Sequence, residues 1–105
     1  MTNILNGRKR RPTHPGEALR EDIMPSAGIS QTQLAQALGV SRLTISEIVL
    51  EKRGVTPDLA LRLAKYFGTS PDLWIGLQKD VDLWDAMQTN RNSYASIKPL
   101  RRRVA

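Results

Sequence analysis

From Ser41 to Glu47 the chain reads SRLTISE, and six of those seven side chains carry a group able to read the edge of another molecule. The guanidinium of Arg42 is a planar fork that can meet two acceptors at once, as guanine presents them in a major groove. Leu43 and Thr44 offer methyl groups suited to a thymine methyl, and the hydroxyl of Ser46 serves either a base or a phosphate. Glu47 only accepts hydrogen bonds when ionised, so it would either take a cytosine amino group or repel phosphate. This chemistry requires the six residues to stand outward on a rigid element, with Ser41 at its start.

The surrounding residues supply such an element. Ile45, Ile48 and Val49 recur at helical spacing opposite the polar set, because side chains advance about 100° per residue along a helix. Ser41 is placed to cap that helix. A preceding helix opens at Ser30 with Gln33 three residues on, a capping-box pattern, and carries Leu34, Ala35 and Leu38 inward. Gly39 gives the backbone freedom for a turn between the two, Val40 packs beneath it, and the small Ala35 permits close approach. The whole stretch LAQALGVSRLTISEIVLEKRG therefore reads as a helix-turn-helix, whose second helix would lay its N-terminal half in a major groove. Gln31, at the positive end of the first of these helices, is placed to hold a phosphate. Lys52 and Arg53 beyond the second helix could do likewise, or could simply stabilise its C-terminus.

Three further helices frame the motif. The first begins near Pro15 with Leu19, Ile23 and Met24 on one face, and Pro25 and Gly28 are expected to stop it. Thr56-Pro57 and Ser70-Pro71 each announce a capped helix, with Leu59, Leu63 and Phe67 striping the former. The last runs through Leu73, Trp74, Leu77, Val81 and Trp84 to about Met87, and Lys52-Arg53-Gly54 is expected to close the helix before these two. From Thr89 onward polar residues and arginines replace the pattern, as in a linker and tail. The expected fold is all-α: a five-helix domain over residues 14–88, between a basic arm at 1–13 and a basic tail at 89–105. The apolar arc of the last helix is wider than one small core needs, so Trp74, Leu77, Val81 and Trp84 are expected to form a homodimer interface.

With 105 residues the chain has room for one core. It contains no cysteine, which excludes disulfides and thiolate metal sites and suits a reducing cytoplasm. No apolar run approaches the ~20 residues of a membrane span. The net charge of +6 is unevenly placed. Nine of the sixteen bases lie in the two ends, at Arg8, Lys9, Arg10, Arg11, Arg91, Lys98, Arg101, Arg102 and Arg103, with no acid among them. The middle holds seven bases against all ten acids, so the expected fold is mildly acidic. Such ends are either solvated and disordered or made for a polyanion. His14 is the single histidine and has no nucleophile or ligand set around it, so its expected work is local, at the entry to the first helix. Asp80, Asp82 and Asp85 read as an exposed helix face and not a metal cluster. No catalytic, cofactor or metal site is expected.

Two longer stretches carry a resemblance. PTHPGEALRE contains an H-P-G-E start, and VTPDLALRLAKYFGTSPDLWIGLQKDVDL contains T-P-x-x-A-x-R-L-A followed by x-P-x-x-W-x-x-L-Q. Together with the hinge, residues 12 to 88 resemble the HigA-type antitoxins of the lambda-repressor-like helix-turn-helix class. The resemblance implies a cytoplasmic, nucleoid-associated homodimer that binds double-stranded operator DNA and represses its own operon. It also implies a partner toxin, a small RelE-like ribonuclease that cleaves messenger RNA. The family's DNA-contacting positions fall on Gln31, Ser41, Arg42, Leu43, Thr44, Ser46 and Glu47, while His14, Pro15, Gly16, Trp74 and Gln78 map onto fold and association. The alternatives are a stand-alone repressor using the same DNA chemistry and an interaction bundle with a degenerate DNA face.

Overall fold

The computed structural model describes residues 10–101, and among these the regular structure is entirely helical. Helix α1 is continuous from Pro15 to Ala27, in three stretches: Pro15–Ala18, Leu19–Ile23 in π geometry, and Met24–Ala27. Then follow α2 (Gln31–Leu38), α3 (Arg42–Val49), α4 (Pro57–Phe67), α5 (Pro71–Thr89) and a short α6 (Arg91–Ala95).

Side chains start each of the first five helices, by satisfying amides that have no partner within the helix. Ser30 Oγ accepts from Gln33 N at 3.1 Å and Gln33 Oε1 accepts from Ser30 N at 2.9 Å, a complete capping box. Ser41, Thr56 and Ser70 each accept from the amide three residues ahead. His14 does the same work for α1, where its Nδ1 accepts from Gly16 N at 2.8 Å. The apolar faces then converge: Leu19, Leu34, Ile45, Ile48, Leu63 and Trp74 are all but inaccessible and form one core.

Three expectations about helix ends need correction. Pro25 does not stop α1, which continues to Gly28. The π stretch just upstream, where Met24 N bonds back to Leu19 O, widens the turn into which the proline ring would otherwise clash. Helix α3 is closed by Leu50 and Glu51 and not by Lys52-Arg53-Gly54: Glu51 adopts φ 62° and Lys52 N reaches back to Glu47 O at 2.8 Å. The stretch after Thr89 includes the turn of helix α6 before the exposed tail.

The C-terminal carbonyls of both hinge helices are gripped from outside. Arg62 of α4 donates to Leu38 O at 2.8 Å, and Arg20 of α1 donates to Val49 O. Gly39 between the helices holds φ 71°, a left-handed shape that glycine adopts without strain.

His14 also gives the fold a pH dependence. Burial pushes its imidazole below the ordinary 6.5, and a proton on Nδ1 would abolish the bond from Gly16 N. Below pH 6.5 the unfolded chain binds a proton that the folded chain resists. Stability is therefore expected to fall as pH drops from about that value through the lower folded pKa, and to be insensitive to this residue above it. Urea midpoints at pH 7.5 and 5.5 check this, with the drop smaller in His14→Asn, whose amide can still cap; an equal drop in both would exonerate His14.

Candidate nucleic-acid interface

The rotation of α3 that buries Ile45, Ile48 and Val49 leaves its N-terminal half outward. Ser41, Arg42 and Leu43 are exposed, and Thr44, Ser46 and Glu47 are half-buried along the same edge. Gln31 is half-buried at the first residue of α2, and Lys52 and Arg53 are exposed beyond α3. Leu43 is 64% exposed and is not part of the core.

Their bonding differs in ways that bear on what each can do. Ser41 Oγ is engaged twice, accepting from Thr44 N at 3.1 Å and pairing with Thr44 Oγ1 at 2.9 Å. Arg53 folds back over the helix: its Nη2 lies 2.6 Å from Glu47 Oε1 and its Nη1 donates to Thr44 Oγ1 at 3.4 Å. The charge of Glu47 is thus balanced within the chain, which weakens its capacity to repel phosphate. Arg42 and Lys52 make no ion pair among the described residues. The fork of Arg42, at the first residue of a capped helix, is left open to a ligand among the described residues.

Of the four residues expected at a dimer interface, two are removed from it. Trp74 and Val81 are fully buried within the single chain and have no surface to give a partner. Trp74 stacks toward Phe67 at 6.1 Å, and its Nε1 donates to Thr69 Oγ1 at 2.9 Å. Seven residues make nearly two whole turns, so Trp74 and Val81 share an inward line while Leu77 and Trp84 share another beside it. Leu77 and Trp84 are half-buried, and Leu73 and Leu83 on the same helix are 44% and 48% exposed.

Residues outside the expected DNA edge hold this site in place through bonds that the sequence did not announce. Gln78 Oε1 accepts from Val55 N at 2.8 Å, and its amide lies so near Gly54 that a β-carbon there would approach to 2.9 Å. Arg11 is bound by two carboxylates: its Nε and Nη2 each donate to an oxygen of Asp85 at 2.8 Å, and its Nη1 donates to Glu51 Oε1 at 2.8 Å. The hydrogen bond from Arg11 holds the Asp85 carboxyl below the usual carboxylate range. Asp82 accepts from Gln78 Nε2 at 2.9 Å. No helix among the described residues is long and apolar enough to cross a membrane.

The hinge, its caps and this outward edge define a helix-turn-helix domain, and the helix-turn-helix family matches residues 18–74. Virulence-associated protein I of Dichelobacter nodosus is 45% identical over 99 residues, covering 93% of this chain and 91% of that protein. Antitoxin HigA-1 of Vibrio cholerae is 38% identical over 93 residues, covering 88% and 87% respectively. Among solved structures, Pseudomonas aeruginosa antitoxin HigA with the higBA promoter superposes with a TM-score of 0.82 at 42% identity, covering 87% of this chain and 100% of that one. The chain belongs to the HigA antitoxins of the helix-turn-helix family.

Proposed function

We propose that the protein is an antitoxin of a toxin–antitoxin pair, which binds operator DNA as a homodimer, represses its own operon and neutralises a RelE-like, mRNA-cleaving toxin. The observation that carries the DNA reading is the outward edge of α3, where Arg42, without an ion pair among the described residues, stands beside Leu43 and Thr44 at a capped helix N-terminus. The relative solved with its promoter supports it. Gln31 and Lys52 are the phosphate contacts of this reading, with Arg53 held by Glu47 and presenting its remaining donors to the backbone.

The half-buried and exposed apolar residues of α5, Leu73, Leu77, Leu83 and Trp84, are the surface for a second copy. Trp84 Nε1 is buried without a hydrogen-bond partner among the described residues, and a buried indole N–H normally has one. That nitrogen is enclosed within its own chain, so what the indole offers a second copy is its remaining apolar surface. Two copies joined there would present two α3 helices about 34 Å apart, one turn of duplex.

Arg42→Ala is expected to weaken operator binding roughly 10- to 100-fold and to relax preference at one base pair. Fluorescence anisotropy with the operator and with random duplex checks it. An equal loss on both would mean that Arg42 touches only phosphate. For the toxin, co-expression with the product of the adjacent gene followed by pull-down is the test; failure to capture a nuclease there would leave a stand-alone repressor.

A further inference from the structure

Helix α3 packs on α1 and α2, whereas α5 packs chiefly on α4. Polar ties join α5 to the exit of α3. The nearer one is Gln78, fastened to Val55 N and steadied by Asp82. Two turns further along α5, Asp85 takes Arg11 in a bidentate grip, and Arg11 passes its remaining amino group to Glu51. The second oxygen of Glu51 meets Arg20 Nη2 at 3.4 Å, and the other amino group of Arg20 holds Val49 O at the end of α3. A chain of charge thus runs from α5 through Arg11 and Glu51 to the last carbonyls of the recognition helix.

Glu51 occupies its place at a conformational cost. Its φ of 62° is the left-handed shape that a glycine would take freely and a side chain opposes. A glycine there would close α3 without strain, but it would leave Arg11 and Arg20 without the carboxylate that joins them. Isolated exposed ion pairs contribute little, but a guanidinium bound bidentately within a network is the geometry in which they hold an orientation. Arg11 closes the run RKRR, yet three of its five N–H donors go to Asp85 and Glu51 and not to phosphate.

We propose that Arg11, Glu51 and Asp85 are positioning residues for operator recognition, holding the exit of α3 to α5 so that the recognition helix keeps a set angle to the dimer axis. This rests on the reading of α5 as the helix that joins two copies. A dimer of stiff protomers discriminates the spacing of two half-sites, because a wrong spacing must strain protein or DNA. Cutting the tie softens that resistance without removing a base contact.

The test uses the full chain and a duplex that the wild type selects from a randomised pool. That duplex is compared with versions one base pair longer or shorter between the half-sites, and with a single half-site. One base pair turns the half-sites by about 35° relative to each other, and the wild type is expected to prefer its own spacing by on the order of tenfold. Asp85→Asn and Arg11→Gln are each expected to shrink that preference severalfold while leaving half-site affinity unchanged. The double variant should shrink it no further than the singles. Arg11→Lys, which keeps the charge but not the fork, should fall between wild type and Arg11→Gln and serves if the glutamine variant does not fold. An undiminished spacing preference, or an equal loss on every duplex including the half-site, would overturn the proposal. A wild type that sediments as a monomer on its selected duplex would instead overturn the dimer reading beneath it.

Discussion

Gly16→Ala is expected to cost the fold about 3 kcal/mol or more, enough to leave little native protein at 37 °C. A β-carbon at position 16 would lie 1.7 Å from the carbonyl oxygen of Ile48 and 2.7 Å from its carbonyl carbon. Both are backbone atoms of α3, so no rotamer change relieves the overlap. Either α1 moves away from the recognition helix or the last turn of α3 unwinds. His14 and Pro15 cannot absorb the shift, since His14 caps the same turn through Gly16 N and both residues are buried. Urea denaturation measures the loss. Gly76→Ala is the contrast: its β-carbon would meet nothing within 4 Å in the middle of α5, and alanine favours a helix over glycine by up to about 1 kcal/mol. Stability within about 1 kcal/mol of wild type in Gly16→Ala would show that α1 and α3 are not held at this distance.

Trp74→Ala should cost about 3–5 kcal/mol of folding stability, the range for emptying a large aromatic site in a core. The indole is wholly buried among residues of its own chain, and its N–H is paired with Thr69. Trp74→Phe keeps most of the packing, loses that bond and should cost less. The same comparison separates core from interface on α5. Trp74→Ala should lower the urea midpoint at every protein concentration, whereas Trp84→Ala should chiefly make dissociation visible on dilution in sedimentation equilibrium. If Trp74→Ala left the midpoint intact and only weakened association, the placement of Trp74 in the core would be wrong.

The H-P-G-E start now has a physical account. Histidine caps, proline occupies the first helical position with φ already set, and glycine lets α1 touch the backbone of α3. The glutamine at the end of the x-P-x-x-W-x-x-L-Q stretch has one as well, since it fastens the loop that follows the recognition helix. Both stretches bear on where α3 stands, although neither lies within it.

Local chemistry was legible in the sequence because it acts over three or four residues. Ser30 with Gln33, Ser41, Thr56 and Ser70 cap helices wherever they precede an apolar-periodic run, and the period of that run determines which face of α3 turns outward. The expected edge of Arg42, Leu43, Thr44, Ser46 and Glu47 followed from that period alone. What the tertiary structure decided lies between residues far apart in the chain. Arg11 meets Asp85 across 74 positions and Arg62 meets Leu38 across 24, distances at which no periodicity operates. Arg53 returns to Glu47 only because Glu51 takes a left-handed turn that its residue type does not announce. The division of α5 into an inward line of Trp74 and Val81 and a flank of Leu77 and Trp84 likewise depended on how much of an apolar arc α4 and α1 would cover. Hydrophobicity marks a residue for burial without saying which surface buries it.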